Sequence, residues 1–147
     1  MSIISLGTVR LGASAADKED AIAQAGALLV EAGCVTAAYV AGMLAREQTM
    51  STYLGNGVAI PHGQFESRAE VRRAGISVVQ LPAGVEWEPG ERAFLVIGIA
   101  ATEDEHLGVL ANLAEVIEDP EAAAQLVGAT DPALIVERLS RPPSVEA

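Results

Sequence analysis

The chain has two histidines, His62 and His106, and both stand where an imidazole can do chemistry. His62 lies between Pro61 and Gly63. Proline restricts the backbone on one side of the ring, and glycine permits close approach on the other. An imidazole near its ordinary pKa of about 6.5 is neutral at cellular pH and keeps a lone pair that can attack phosphorus. Taken alone, the local spacing favours a plain surface histidine in a loop. His106 falls in the first turn of a predicted helix, just past an apolar, strand-length run. Helix N-termini gather anions, and ligands settle beyond strand ends in open α/β sheets. A histidine there could donate a hydrogen bond to a phosphoryl oxygen, and a structural histidine fits the position equally. Two histidines, both predicted at strand ends, tilt the reading towards a shared site.

Arg46 is the third candidate. Its planar, permanently charged fork suits phosphate, although an arginine in the last turn of a helix also complements the dipole, and without other information that second reading is the better one. Gly55-Asn56-Gly57 is turn chemistry with an indirect part in shaping the His62 loop. It matches neither a P-loop nor GxGxxG. Cys34, the one cysteine, reads as a buried, inert thiol. Glu103, Asp104 and Glu105 are explained by a solvated first helical turn rather than by metal or acid/base chemistry.

These residues need elements to hold them. The 3.6-residue spacing of Ile22, Ala25, Leu28, Leu29 and Ala32 predicts a helix over 15–32, closed by Gly33. Thr36 can cap a second helix through about Glu47, with Tyr39 or Val40, Met43 and Leu44 inside. Val58 to Ile60 is a short strand stopped by Pro61, and a polar loop runs from His62 to Arg73. Gly75 to Leu81 is β-branched and reads as a strand, Pro82 to Arg92 as a turn-rich connector with room for a hairpin or edge strand, and Ala93 to Ala101 as a strand buried on both faces. Thr102 to Glu105 forms a capping box for a helix ending near Glu118. Asp119-Pro120 and Asp131-Pro132 open two more helices, ending near Val127 and Leu139. A short strand at Thr8 to Leu11 completes the pattern, and the tail from Arg141 reads as disordered. The expectation is one α/β domain with a small mixed β-sheet flanked by helices.

Composition bounds the function. At 147 residues the chain has the size of one domain and can bury roughly 68–70% of its unfolded surface. Half its residues are hydrophobic and only 3% aromatic, so Ala, Val, Leu and Ile must build the core. A net charge of −11 argues against nucleic acid and anionic membrane surfaces and favours a partner presenting positive charge. One cysteine excludes an intramolecular disulfide framework, and with two histidines it makes a dedicated zinc site improbable. With no basic-then-apolar leader and no run of roughly 18 apolar residues, a soluble, cytoplasmic protein without membrane insertion is expected.

Longer words then stand out. LAREQTMSTYLGNGVAIPHG, from Leu44 to Gly63, resembles the active-site signature of the mannitol/fructose-type enzyme IIA domains of the sugar phosphotransferase system. QLPAGVEW (Gln80–Trp87), LVIGIAA (Leu95–Ala101) and DEHLGVLANLAEVIED (Asp104–Asp119) resemble the following segments in the same order, and VRLGASAADKEDAIAQAGALLVEAGCV resembles the N-terminal helix. The likeness covers roughly residues 8 to 140 and is strongest to the mannitol branch. It implies the enzyme IIA mannitol-type fold over residues 1–141, with 142–147 as a tail. It implies a relay in which the histidine-containing phosphocarrier protein donates a phosphoryl group and an enzyme IIB domain receives it. The carrier would be His62, with His106 beside it and Arg46 associated with the site, and no cofactor or metal. Gln48 departs from the acidic residue that many relatives have there. Some enzyme IIA-like domains instead regulate partner proteins by docking according to phosphorylation state, which is the alternative reading.

Overall fold

The computed structural model describes residues 4–63, 69–100, 113 and 115–140. The apolar run predicted as a doubly buried strand lies mid-sheet as β5 (Glu91–Ala100), hydrogen-bonded on both sides. It pairs antiparallel with β4 (Gly75–Glu88) and parallel with β3 (Val58–Ala59). β1 (Val9–Arg10) adds to β4 in parallel, and β2 (Tyr53–Gly55) adds to β3 antiparallel. The five-stranded order β1-β4-β5-β3-β2 is therefore mixed, as expected.

Alternating side chains divide the core between two faces. Val79, Leu81, Ala93 and Val96 pack with Ile22, Leu29 and Met43 from helices α1 (Lys18–Glu31) and α2 (Ala38–Thr49). Val78, Leu95, Ile97 and Ile99 pack on the other face with Leu113 and Ile117 of a helical stretch that includes residues 115–118 (α3). The same cluster takes in α4 (Pro120–Val127) and α5 (Pro132–Ser140) through Leu126, Ile135 and Leu139.

Several boundaries differ from expectation. α1 starts at Lys18, because Asp17 is the cap: its carboxylate accepts the Asp20 N–H at 2.8 Å. Thr36 does not cap α2. Its hydroxyl bonds the Glu70 carboxylate and its N–H the Glu70 carbonyl, so α2 begins with Ala37 as an N-cap lacking a side-chain bond and runs on to Thr49. The segment from Pro82 to Arg92, read as a connector with room for a hairpin, does hold one, formed by the second half of β4 turning into the start of β5; only the strand end expected at Leu81 comes too early. Pro82 is tolerated because the ladder slips register between Gln80 and Val85, where no N–H is demanded of it. Asp119 and Asp131 do cap helices, accepting from Glu121 N–H at 3.0 Å and Ala133 N–H at 2.9 Å. The capping box at 102–105 and the tail from 141 lie outside the described residues.

Candidate active site

β3 and β5 run parallel, so their carboxyl ends lie side by side, the usual ligand position in such sheets. Pro61 ends β3, but the chain does not leave the sheet at once. The Ile99 N–H donates to the Pro61 carbonyl at 3.0 Å, and His62 forms an isolated parallel bridge with Ile99. His62 is half-buried, and its Nδ1 lies 3.0 Å from the Ile60 carbonyl oxygen. A carbonyl can only accept, so this contact selects the tautomer with the proton on Nδ1. The lone pair of the neutral ring then belongs to Nε2.

The next residue is fixed as firmly. The buried Tyr39 hydroxyl donates to the Ile99 carbonyl at 2.8 Å and accepts the Gly63 N–H at 2.9 Å. A Cβ at Gly63 would meet the Tyr39 ring at 2.5 Å, so only glycine brings the backbone this near. Burial pushes the Tyr39 phenol above its ordinary range, while the Gly63 N–H pulls the other way. The hydroxyl accordingly keeps its proton and remains a bridge between β5 and the residue after His62.

The segment before β2 is anchored by a charge. Glu47, in the last turn of α2, is only 4% exposed. Its carboxylate accepts the Thr52 N–H at 3.0 Å, the Thr52 hydroxyl at 2.5 Å and the Trp87 Nε1–H at 2.9 Å. Lys18 pairs with it at 3.4 Å, donates to the Trp87 carbonyl at 3.2 Å and rests 5.6 Å from the centre of the Trp87 ring. One carboxylate thus joins α1, α2, β4 and the lead into β2.

Of the residues singled out in the sequence, Arg46 completes α2: its Nη1 donates to the Met50 carbonyl at 2.7 Å. Gly55-Asn56-Gly57 is the turn joining β2 to β3, with all three residues at positive φ. Cys34 is buried, its thiol pushed up by burial and drawn partly back by the Arg73 charge. His106 and the acidic run 103–105 lie outside the described residues. Among the described residues no three His, Cys, Asp or Glu side chains gather as a metal site. Sequence reading missed Tyr39's polar role and the whole Lys18–Glu47–Thr52–Trp87 network.

The chain matches, over residues 2–141, the family described as phosphoenolpyruvate-dependent sugar phosphotransferase system, EIIA 2. The chain belongs to this EIIA family. Among relatives of the EIIA domain, the multiphosphoryl transfer protein of Xanthomonas campestris pv. campestris is 54% identical over 132 residues, covering 90% of this chain and 16% of that protein. The chain therefore spans about a sixth of that relative's length. The mannitol-specific phosphotransferase enzyme IIA component of Bacillus subtilis is 40% identical over 129 residues, covering 88% of this chain and 90% of the relative. The solved complex of enzyme IIAMTL and phosphorylated enzyme IIBMTL from Escherichia coli superposes with a TM-score of 0.85 at 38% identity, over 92% of this chain and 97% of the matched one. The sheet and helices described above are therefore the EIIA fold.

Proposed function

We propose that this EIIA domain carries a phosphoryl group on Nε2 of His62. The observation that carries the reading is the Nδ1 contact to the Ile60 carbonyl, which puts the ring's lone pair on Nε2. In the first step the Nε2–P bond forms as the N–P bond of a phosphohistidine donor breaks, and the donor ring leaves with the electron pair. His62 becomes formally cationic, with its Nδ1 proton retained, and the Ile60 carbonyl stabilises that proton and charge. In the second step the phosphoryl group passes on, and His62 departs as the same neutral tautomer it began as. No proton has to move at His62 in either step. What remains for the protein is alignment and charge stabilisation of a phosphoryl transfer.

The donor is the histidine-containing phosphocarrier protein and the acceptor an enzyme IIB domain. The second assignment draws support from the Escherichia coli complex, and the first from multiphosphoryl transfer relatives. The transported sugar is of the mannitol or fructose type, a reading supported by the Bacillus subtilis relative. His106, which follows β5 closely along the chain, and Arg46 are assigned to the phosphoryl oxygens. Arg46 would exchange its Met50 carbonyl for the anion, a stronger, charge-assisted acceptor. Residues 1–141 form the domain and 142–147 its tail. A cytoplasmic location fits the absence, among the described residues, of any helix long and apolar enough to cross a membrane.

Intact-mass spectrometry tests the carrier. After incubation with phosphoenolpyruvate, enzyme I and the phosphocarrier protein, the wild type gains one acid-labile phosphoryl group and His62→Ala gains none. A wild type left unmodified by a verified donor overturns the reading and leaves docking regulation as the better account.

A further inference from the structure

A buried carboxylate is a costly way to join elements, and a well-packed apolar cluster of the same volume commonly serves stability better. Glu47 therefore needs a reason beyond stability. Its bonds lead, link by link, to the imidazole. The carboxylate fixes both the N–H and the hydroxyl of Thr52. The Thr52 carbonyl accepts the Ile60 N–H at 3.0 Å, and the Ile60 carbonyl faces His62 Nδ1 at 3.0 Å. Thr52 precedes the first residue of β2, so these side-chain bonds determine where the strand begins and hence where its partner β3 delivers Ile60.

We infer that Glu47 is a positioning residue for His62, acting through Thr52 and Ile60 to set the ring's tautomer and direction. The inference rests on His62 being the phosphoryl carrier. Glu47 touches neither ring nor phosphate. Its effect is on the fraction of molecules whose Nε2 lone pair points along the line of transfer, so losing it slows the transfer step and leaves docking unchanged.

The test uses the full chain and three variants, Glu47→Gln, Thr52→Val and Thr52→Ser. Two kinds of readout are taken: the His62 tautomer, from its two imidazole nitrogen shifts at neutral charge, and the kinetics (kcat and KM) of transfer from the phosphorylated carrier protein. Wild type should show one tautomer, protonated on Nδ1. Glu47→Gln should show a mixture, with kcat down on the order of tenfold and KM little changed. Thr52→Val should move the same way by a smaller factor. Thr52→Ser, which keeps the hydroxyl, should restore both readouts. Folded Glu47→Gln and Thr52→Val proteins with the wild-type tautomer and kcat would overturn the inference. If Glu47→Gln does not fold, the Thr52 pair decides: a Val variant indistinguishable from Ser rejects the role. The tautomer comparison needs no phosphate, so a failure of the carrier assignment appears separately, as an unphosphorylated wild type.

Discussion

Gly63 owes its identity to a phenol. A methyl group there would lie 2.5 Å from Tyr39 Cε1 and 2.7 Å from Cζ, and a buried ring has little room to retreat. Gly63→Ala should therefore cost about 1–3 kcal/mol in urea unfolding, the range for overpacking a close contact. It should also slow phosphorylation, since the backbone beside His62 must shift. Unchanged values of both would mean that the Tyr39 bridge is not what seats the loop. Residue types alone marked His62 as a candidate, with spacing favouring a plain loop histidine, and they suggested a close approach at Gly63 without revealing Tyr39 as what approaches. They were not enough for Lys18 and Glu47, because charges at helix ends normally read as solvated. A signal was nonetheless present. Lys18 stands in the first turn of α1 and Glu47 in the last turn of α2, each against the helix macrodipole. Two charges of opposite sign, each at the end that disfavours it, point to each other.

At the scale of elements, the β2–β3 turn is tied to the helices on the far face of the sheet. Asn56 sits at φ 53 and donates from Nδ2 to the Ile117 carbonyl at 2.8 Å. Asn56→Gly keeps the turn and loses one bond, which should cost about 1 kcal/mol, and Asn56→Ala should cost about 1–2 kcal/mol more for a Cβ in the left-handed region. Denaturant midpoints falling in the order Asn, Gly, Ala would bear this out, and an alanine variant at or above glycine would refute it. The turn itself, the buried β5 and the two Asp-Pro helix starts were legible, because each depends on chemistry within a few residues. Thr36 misled because its hydroxyl found Glu70, far along the chain, in place of its own helix. Pro82 misled only about where β4 ends, the hairpin itself having been allowed for, because a register slip in the pairing with β5 excuses a proline from the ladder. Both errors arise from partners that local spacing does not reveal.

At the scale of the molecule, three groups among the described residues bear on alkaline stability. Cys34, Tyr39 and Tyr53 are all raised chiefly by burial, from ordinary values of 9.0 for the thiol and 10.0 for the phenols. The unfolded chain thus gives up these protons at lower pH than the folded one, and stability must fall as pH rises through that range. Their contribution is whole below about pH 9 and wanes above it, so the urea midpoint should drop between about pH 9 and about pH 11. A midpoint that climbs over that interval would contradict the burial of these groups. The Tyr39 bridge to Ile99 spans 60 positions, and this has a consequence for synthesis. A ribosome that has made the chain through Gly63 has made every letter of the signature but only part of the seat: Tyr39 and Ile60 are present, while Ile99, on the strand that receives His62, is still untranslated. At about 5–20 residues per second, β5 follows only on the order of seconds later. On the proposed carrier role of His62, a nascent chain should accept no phosphoryl group until the sheet closes, and the signature transplanted as a bare peptide should stay unphosphorylated.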